Sequence, residues 1–280
     1  MTTLSVAKGT IALYVDHDRE HARAIADRVA ESFRAHGFGV VRLPEERGDA
    51  SLIVTIGGDG TLLRAARVAI DGDVPIIGIN TGRLGFLTEF DEDDPRIAQL
   101  PQLLERGLEI EERLALQAEY AGRTYFALNE VVIRKGGVRI VPFTLRLNDE
   151  AAVQIPADGL CIATPTGSTA YFLSAGGSII SPRVDAFGIV PLLPHTLFSR
   201  PIIVPASSRV EAGCDVEPAH AHIECDGEMV AQIEPGESVV VQRHPKRVRF
   251  ARTSALRFFE RLESKLRWGV SIKERPPRTC

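Results

Sequence analysis

The sequence predicts two domains of different classes, an α/β domain with a parallel sheet followed by an all-β sandwich. In the first third of the chain, apolar strand-like segments alternate with segments of helical periodicity, which is typical of a parallel sheet with helical crossovers. From residue 108 onward, short strand-like segments follow one another with Gly and Pro turns between them, which is typical of a sandwich or barrel. A chain of 280 residues is long enough for two such domains.

Four strands and two helices are predicted in the first third. The strand segments are apolar: Thr10–Val15, Gly39–Leu43, Ser51–Ile56 and Val74–Ile79. The first helix has Asp18 as a candidate cap and Gly37 as its end. Its apolar face recurs at helical spacing through Ala22, Ile25, Ala26, Val29, Ala30 and Phe33. The second helix is predicted over Thr61–Ile70.

The acidic, Pro-ended stretch Asp91–Pro95 is the candidate domain boundary, which gives an α/β domain of residues 1–94 and a sandwich of residues 95–252. A short helix to about Arg106 is expected after it, and Asn148–Glu150 supplies a turn between strands of period two. Further strands are predicted from residue 108 and at 159–163, 201–204, 208–213, 220–225, 238–242 and 247–251.

An amphipathic helix is predicted at residues 253–270, where Ser254 is a candidate cap and Gly269 the expected end. Its apolar stripe consists of Leu256, Phe259, Leu262 and Leu266. A lone amphipathic helix after an all-β domain must bury its stripe, so we expect it to pack back on the N-terminal α/β domain. Residues 271–280 are expected to form a flexible tail.

Composition excludes several classes of function. The formal net charge is −4 and the sequence pI is about 6.0, so no overall positive field attracts nucleic acid or an anionic membrane. The four cysteines form no C-x-x-C pair, which favours reduced thiols in a cytosolic protein. Neither a signal peptide nor a membrane span is predicted. We therefore expect a cytoplasmic, soluble protein that binds neither nucleic acid nor membrane.

The strongest local pattern is Gly57-Gly58-Asp59-Gly60-Thr61, which lies between a buried strand and a helix. The glycines allow a tight turn and a close approach to a ligand, and the amides at the helix start suit a phosphate. A carboxylate beside a phosphate site is unfavourable unless it binds a metal, holds a hydroxyl or takes a proton. The alternative is a plain strand-to-helix turn in which Asp59 is the N-cap.

Two further segments carry an aromatic or polar residue at a position where ligand binding would explain it. The loop Asn80–Leu87 contains Phe86, which either meets a flat ring of a ligand or lies in the core. Asn129-Glu130 lies within a strand-like segment. An amide and a carboxylate suit the two hydroxyls of a ribose, and the alternative is a solvated strand edge.

A third segment follows Asp158-Gly159 and runs from Thr164 to Tyr171, with Ser174 shortly after. Four hydroxyl side chains in this run are costly in a core unless a polar ligand satisfies them. Tyr171 can stack on adenine, and the hydroxyls can hydrogen-bond to base or amide edges. The alternative is a tight loop with helix caps.

These segments together resemble the NAD kinase family. Its patterns G-G-D-G-T, N-x-G-x-L-G-F-L, N-E, D-G and T-P-T-G-S-T-A-Y occur here in that order, over roughly residues 53–236. The first pattern alone is shared with lipid kinases and, more loosely, with phosphofructokinases. The resemblance implies an enzyme that phosphorylates the 2′-hydroxyl of NAD's adenosine ribose from ATP or polyphosphate. It also implies Mg²⁺ or another divalent metal ion with ATP, and a homodimer or homotetramer.

The resemblance implies roles for individual residues. Asp59 corresponds to the catalytic residue, and Gly57, Gly58, Gly60 and Thr61 to the phosphate loop. Residues implied to bind NAD are Asp59, Gly60, Arg64, Phe86, Asn129, Glu130, Asp158, Thr169, Ala170, Tyr171 and Ser174; no residue is implied to be a metal ligand. The sequence departs from the family at Pro156, where many members carry a basic residue, and at Glu228, where some bacterial members carry glutamine.

Two other readings remain open: a lipid or sugar kinase that uses the same glycine loop, and a non-catalytic NAD-binding regulator. Three further features have ordinary interpretations. His220 and His222 have strand spacing, but no third metal ligand is evident. The basic stretch Arg243–Arg252 favours a solvated strand edge over a polyanion site. His195, which follows a proline, is not assigned to the nucleotide site.

Overall fold

The computed structural model describes residues 2–6, 8–16, 20–44, 49–82, 85–197, 199–214, 221–253 and 258–269. The predicted caps Asp18 and Ser254, the stripe residue Leu256, His220 and the tail 271–280 lie outside these residues. The chain divides into two compact units, the first formed by Met1–Glu111 and Arg249–Cys280 and the second by Glu112–Val248. The chain passes from the first unit to the second between Glu111 and Glu112, which is later in the chain than the predicted boundary near residue 94.

The described strands and helices are numbered in chain order. The strands are β1 Thr2–Leu4, β2 Thr10–Val15, β3 Gly39–Leu43, β4 Ala50–Gly57, β5 Ile76–Asn80, β6 Phe90–Asp91, β7 Leu108–Arg113, β8 Leu116–Tyr120, β9 Arg123–Ala127, β10 Glu130–Lys135, β11 Val141–Leu147, β12 Val153–Ala157, β13 Gly159–Ala163, β14 Ala186–Leu192, β15 Ile202–Pro205, β16 Val210–Cys214, β17 Ala221–Cys225, β18 Glu228–Ile233, β19 Ser238–Arg243 and β20 Val248–Arg252. The α-helices are α1 Glu20–Ala35, α2 Asp59–Gly72, α3 Leu100–Arg106, α4 Tyr171–Ser174 and α5 Phe258–Leu266, with 3-10 turns at Pro95–Gln99 and Gly167–Thr169.

The first unit is built on a mostly parallel sheet. Within the described part of the chain its strand order is β1-β7-β20-β5-β4-β2-β3, and β6 pairs with β5. The pairs β2–β3, β2–β4, β4–β5, β5–β6 and β5–β20 are parallel, whereas β1–β7 is antiparallel. The parallel α/β architecture predicted for this part of the chain is confirmed.

Helix α1 buries the face that the apolar periodicity predicted. Its buried residues are Ala22, Ile25, Ala26, Val29, Ala30 and Phe33. They share a core with the β2, β4 and β5 side chains Leu13, Val54 and Ile79. The chain leaves α1 through Gly37, whose φ of 82° is a conformation that glycine adopts readily.

Helix α5 belongs to the first unit, as predicted, but only part of its predicted stripe is buried. Leu262 is 3% exposed, whereas Phe259 is 65% exposed and lies near the Trp268 ring at the chain surface. The helix ends at Leu266, and Arg267 adopts a left-handed φ of 55°, so the end comes before Gly269. Helix α5 therefore packs on the first unit through Leu262 and through the polar contacts of Arg261 with Phe86 and Glu89.

The second unit is a sandwich of two antiparallel sheets, as predicted. One sheet has the order β15-β14-β13-β10-β17-β18 and the other β12-β11-β16-β19-β8-β9, among the described strands. Side chains from both sheets form one apolar core, with Ile133, Ile162 and Phe187 from the first sheet and Phe143 and Val241 from the second. The predicted turn at Asn148–Glu150 is present, with Asn148 at a φ of 51°.

Two segments expected in the sandwich pair elsewhere. β7 and β20 are neighbours in the sheet of the first unit, where β20 also pairs with β5. β7 alternates between buried and partly exposed residues over most of its length, whereas β20 is buried at all residues except Arg249. Local periodicity does not decide which sheet a strand joins, because the partner strand is distant in sequence.

The outer face of the β10–β13–β14 sheet is covered by the segment around α4. Phe172 is fully buried there against Val132, Cys161, Ala163 and Val190. A Cβ on Gly177 or Gly188 would lie 2.1 or 2.3 Å from the Phe172 ring, so both glycines are required for this packing. The segment that contains Thr164–Tyr171 is thereby fixed to one sheet.

No helix among the described residues is long and apolar enough to cross a membrane.

Candidate functional site

The Gly57–Thr61 loop joins β4 to α2 and has open space above two of its glycines. A Cβ on Gly57 would lie 2.3 Å from Thr61 Oγ1, so the tight turn requires glycine there. In contrast, a Cβ on Gly58 would meet no atom within 4 Å, and one on Gly60 would meet only an Arg64 nitrogen at 4.0 Å. The backbone at Gly58 and Gly60 is therefore accessible to a ligand at the start of α2.

Asp59 is the first residue of α2, and its carboxylate does not cap the helix. Gly58 occupies the cap position without a side-chain hydrogen bond. The Asp59 carboxylate instead accepts the Phe86 amide at 2.8 Å and the Leu87 amide at 3.1 Å. The alternative in which Asp59 serves as N-cap is therefore wrong, and the carboxylate is oriented by a loop distant in sequence.

The environment of Asp59 makes its carboxyl a stronger base than an exposed aspartate. Burial raises the pKa of Asp59 above its usual value, against the opposing effects of the amides of residues 86–88 and of the Arg261 charge. The side chain is half-buried, so part of it is accessible to a ligand. A carboxylate in this state can hold a hydroxyl and take its proton.

The segment from Gly85 to Thr88 follows β5 and packs tightly against it. Asn80 is buried, accepts the Gly82 amide and donates to Asp91 Oδ1 at 3.1 Å. A Cβ on Gly85 would lie 2.1 Å from Thr88 Oγ1. Phe86 is half-buried, so its ring is neither fully enclosed in the core nor fully exposed, and Arg83 and Leu84 of the same pattern lie outside the described residues.

Arg64 lies one turn into α2, beside the loop. Its side chain is exposed, and its guanidinium lies 3.5 Å from Thr61 Oγ1. Thr61 itself is buried, and its hydroxyl lies 3.5 Å from an Asp16 carboxylate oxygen. The structure thus brings together the predicted site residues of the first unit: Gly57, Gly58, Asp59, Gly60, Thr61, Arg64 and Phe86.

In the second unit, Asn129 and Glu130 lie at the start of β10 and are fixed by their backbones. The Asp226 carboxylate accepts the amides of Leu128 at 2.8 Å, Asn129 at 2.7 Å and Glu130 at 3.3 Å. On the other side, the Asn129 carbonyl accepts the Thr164 amide at 2.8 Å. The backbone of the pair is therefore clamped from two elements.

The side chains of Asn129 and Glu130 are both buried, and one polar atom of each lacks a hydrogen-bond partner among the described residues. Asn129 is 8% exposed and Glu130 is 6% exposed, yet Asn129 Oδ1 and Glu130 Oε2 have no hydrogen-bond partner among the described residues. Burial raises the pKa of Glu130 to about 8, with the negative charges of Asp226 and Glu224 adding to the shift. Buried polar atoms without partners are costly, so these two favour a polar ligand over a solvated strand edge.

The hydroxyls of the Thr164–Thr169 run are largely satisfied within the chain. Thr164 donates to the Leu128 carbonyl at 2.7 Å, and Ser168 donates to the Pro165 carbonyl at 2.7 Å. Thr169 is half-buried and donates to the Thr166 carbonyl at 3.2 Å. Contrary to the prediction, Thr164 and Ser168 need no ligand to satisfy their hydroxyls, and they stabilise a tight loop.

Tyr171 and Ser174 of α4 are exposed, and Ala170 before them is half-buried. The Tyr171 ring has the Arg134 guanidinium 5.5 Å from its centroid, and the Tyr171 hydroxyl accepts from Arg134 at 3.3 Å. Arg134 in turn pairs with Glu224 at 2.8 Å. The Tyr171 amide also faces Glu130 and opposes the rise in its pKa. The predicted adenine-side residue thus lies next to the Asn129–Glu130 pair.

Asp158 precedes β13 and is paired rather than free. Its Oδ1 lies 2.5 Å from Lys135 Nζ, and both side chains are largely buried. Pro156, where the family pattern has a basic residue, accepts the amide of the exposed His195 through its carbonyl. Lys135 therefore supplies a positive charge beside Asp158 that the sequence analysis did not assign.

Other polar features of the sequence have local explanations. Among the described residues, no group of three or more His, Cys, Asp or Glu side chains could hold a metal ion. In the basic stretch, Arg247 pairs with Asp185 at 2.6 Å and Arg249 with Asp73 at 3.4 Å. Arg252 is buried, which differs from the solvated edge expected for it. Glu228 is exposed.

The structure adds residues that sequence reasoning did not place in the site. Asp226 has a left-handed φ of 51° and precedes Gly227 in a turn that the Asp-Gly dipeptide indicates. Its hydrogen bond with the Leu128 amide has no counterpart in the sequence pattern, because the two residues are far apart in the chain. Glu89, Arg252 and Arg261 form an ion-pair cluster behind the Phe86–Leu87 segment. No sequence pattern links these three residues, because two of them follow the whole second unit.

Comparisons with known proteins identify the family of this chain. Residues 39–109 match the model of the ATP-NAD kinase N-terminal domain, and residues 128–253 match that of the ATP-NAD kinase C-terminal domain. The chain is 38% identical over 263 residues to the NAD kinase of Chromohalobacter salexigens, covering 91% of this chain and 89% of that protein. It is 35% identical to the NAD kinase of Pseudomonas putida, covering 92% and 89%.

Solved structures share the fold. An NAD kinase from Archaeoglobus fulgidus in complex with ATP superposes with a TM-score of 0.73 at 24% identity, covering 93% of this chain and 98% of that one. Yeast NADH kinase complexed with NADH gives a TM-score of 0.81 at 20% identity, covering 96% and 90%. The chain belongs to the NAD kinase family and is a kinase that acts on NAD.

Proposed function

We propose that the chain transfers the terminal phosphoryl group of ATP, as its complex with Mg²⁺ or another divalent ion, to the 2′-hydroxyl of the adenosine ribose of NAD. The observation that carries this proposal is the state of Asp59. Its half-buried carboxyl has a raised pKa and lies beside the accessible backbone of Gly58 and Gly60. A hydroxyl acceptor and a phosphate donor require these two features together.

The metal ion belongs to the donor substrate in this proposal. Within the described residues, no group of three or more His, Cys, Asp or Glu side chains is placed to hold a metal ion. The ion neutralises charge on the donor phosphates when it is bound with ATP. Inorganic polyphosphate carries the same phosphoanhydride bond and is the second donor to be tested.

In the first unit, the start of α2 holds phosphate and Asp59 holds the acceptor. The amides of Asp59 and Gly60 are among the first of the helix and have no carbonyl one turn earlier to accept them. They and the helix dipole favour an anion at this end. Asp59 accepts the 2′-hydroxyl proton as the oxygen attacks phosphorus, which breaks the bond to the leaving phosphate. Arg64, one turn further along α2, supplies positive charge.

In the second unit, Asn129 and Glu130 bind the dinucleotide. Their unpartnered Oδ1 and Oε2 atoms accept hydrogen bonds from ribose hydroxyls. We assign the adenine side to Thr169, Ala170, Tyr171 and Ser174, with the exposed Tyr171 ring as the stacking surface. Asp158 is assigned to the nicotinamide end, and Phe86 of the first unit contributes a half-buried ring to the substrate.

The test is the Asp59→Asn variant in a coupled assay of NADP formation. We expect kcat to fall by about 10²- to 10⁴-fold, because general-base assistance is lost, while NAD still binds in calorimetry. The new amide group also faces one of the two loop N–H groups, which costs about 1–3 kcal/mol of stability. Asp71→Asn, an exposed position near the other end of α2, is the control and should keep wild-type turnover.

Kinase assays with other acceptors, together with NAD-binding calorimetry, separate the rival functions. Turnover of diacylglycerol or fructose 6-phosphate in place of NAD would indicate a lipid or sugar kinase. NAD binding by calorimetry without NADP formation from Mg²⁺-ATP would indicate a non-catalytic regulator. Near-normal turnover of Asp59→Asn would show that Asp59 is not the base. Parallel reactions with polyphosphate and with NADH define the donor and the acceptor.

A further inference from the structure

The segment that holds Asp59 is itself held from its other side. The amides of Phe86 and Leu87 donate to the Asp59 carboxylate, and the carbonyls of the same two residues accept from arginines. Arg261 of α5 donates through Nη1 to the Phe86 carbonyl, and Arg252 of β20 donates to the Leu87 carbonyl at 2.9 Å. Two consecutive residues therefore connect Asp59 to two guanidinium groups.

Glu89 fixes both guanidinium groups. Its side chain is 1% exposed, and its Oε2 lies 3.3 Å from Arg252 Nη1 and 3.4 Å from Arg261 Nη2. Its Oε1 accepts the Thr253 hydroxyl at 2.6 Å and the Thr253 amide at 3.0 Å. A buried carboxylate with this many donors holds its partners in one geometry.

We infer that Arg261 is a positioning residue: it fixes the Phe86–Leu87 segment so that its amides orient the carboxylate of Asp59. This inference rests on the proposed function of Asp59. Arg261 acts on this segment through the Phe86 carbonyl, to which it donates, and through its ion pair with Glu89. Helix α5 thus contributes to the reaction although the chain reaches it only after the entire second unit.

Arg261 is a better test of this network than Arg252. Arg252 is 3% exposed, pairs with both Glu89 and Glu111 and donates to the Leu87 carbonyl, so its removal would disturb the buried core of the network more than removal of Arg261. Arg261 is partly exposed. Without Arg261, Glu89 keeps Arg252 and both Thr253 donors, so the variant is expected to fold.

Arg261 also acts on Asp59 electrostatically. Its positive charge lowers the pKa of Asp59, against the larger rise caused by burial. Arg252 from β20 and Glu89 from the loop also face this segment. The cavity beside it is lined by the further charged residues Asp91, Glu260 and Lys265. All of these remain in an Arg261 variant. Removing Arg261 should therefore raise the Asp59 pKa and move the acidic limb of the kcat profile to higher pH.

The experiment compares Arg261→Ala, Arg261→Lys and the control Glu263→Ala, an exposed residue of the same helix. Hydrogen–deuterium exchange of the free protein should be faster at the amides of Phe86 and Leu87 in Arg261→Ala, faster to a smaller extent in Arg261→Lys, and unchanged in Glu263→Ala. For Arg261→Ala we expect kcat to fall about 10- to 100-fold, because the carboxylate is misplaced, with little change in KM for NAD. Arg261→Lys keeps the charge, so its kcat should fall less and its acidic limb should stay at the wild-type pH.

The outcomes distinguish this inference from the proposed function. Unchanged exchange at Phe86 and Leu87 in Arg261→Ala, or an unchanged kcat, would overturn the inference. Faster exchange together with a wild-type protein that forms no NADP would support the positioning contact and refute the proposed role of Asp59. If Arg261→Ala does not fold, the exchange rates and kcat of Arg261→Lys decide between the same outcomes.

Discussion

The buried carboxyl of Glu130 allows a quantitative test of how the second unit binds NAD. Burial, with the charges of Asp226 and Glu224, raises its pKa to about 8. About nine in ten molecules of the free protein therefore carry a protonated Glu130 at pH 7. Hydrogen bonds from ribose hydroxyls favour the charged carboxylate and lower this pKa in the complex. NAD binding is then expected to release a proton.

The size of the effect follows from that pKa. Complete deprotonation of Glu130 in the complex would release about 0.9 proton per NAD at pH 7 and about 0.1 at pH 9. The NAD association constant should fall as pH decreases below about 8, by up to about tenfold per pH unit, because the proton competes with the ligand. Calorimetry at pH 7 in two buffers with different ionisation enthalpies measures the number of protons released.

Two variants locate the proton. Glu130→Gln cannot titrate, so its proton release at pH 7 should be close to zero. Glu150→Gln, which changes an exposed carboxylate in the β11–β12 turn, should release as many protons as the wild type. Binding of NAD by the wild type without proton release, or equal release by Glu130→Gln, would refute the assignment of Glu130 as a charged acceptor.

The same shift has a consequence for the stability of the free protein. The folded-state pKa of about 8 lies above the ordinary value of 4.5, so the folded protein binds this proton more tightly than the unfolded chain. The contribution of Glu130 is therefore fully present below pH 4.5 and is lost as pH rises to about 8. In urea denaturation at several pH values, the free energy of unfolding of Glu130→Gln should fall less between pH 4.5 and 8 than that of the wild type.

Gly57→Ala should destabilise the protein by about 1–3 kcal/mol, because the new Cβ would lie 2.3 Å from Thr61 Oγ1. The Cβ of the control Gly58→Ala would meet no atom within 4 Å, so this variant should leave the urea midpoint nearly unchanged. Equal midpoints for the two variants would contradict the steric argument. Asp226→Ala should raise the KM for NAD and cost about 2–5 kcal/mol of stability, because three amides lose their acceptor. Unchanged NAD binding by a folded Asp226→Ala would show that the clamp does not order the Asn129–Glu130 pair.

Much of the fold was predictable because its patterns are local. The buried face of α1 follows from helical spacing between Ala22 and Phe33, and β4 follows from a continuous apolar run before Gly57. The membership of β7 and β20 was not predictable, because pairing between strands separated by the whole second unit leaves no local pattern. The exposure of Phe259 was not predictable either, since spacing alone does not show how much of a stripe a short helix buries.

For the site, the sequence by itself determined which residue types occur beside one another: a glycine loop with Asp59, the Asn129–Glu130 pair and the run ending at Tyr171. These are contiguous segments, and their chemistry is a property of neighbouring residues. Only the tertiary structure decided what surrounds them. It placed the Phe86 and Leu87 amides on Asp59, satisfied the Thr164 and Ser168 hydroxyls internally, and brought Asp226 and Arg261 to distant backbones. Burial and long-range hydrogen bonds set the pKa values of Asp59 and Glu130, and both depend on residues that meet only when the chain folds.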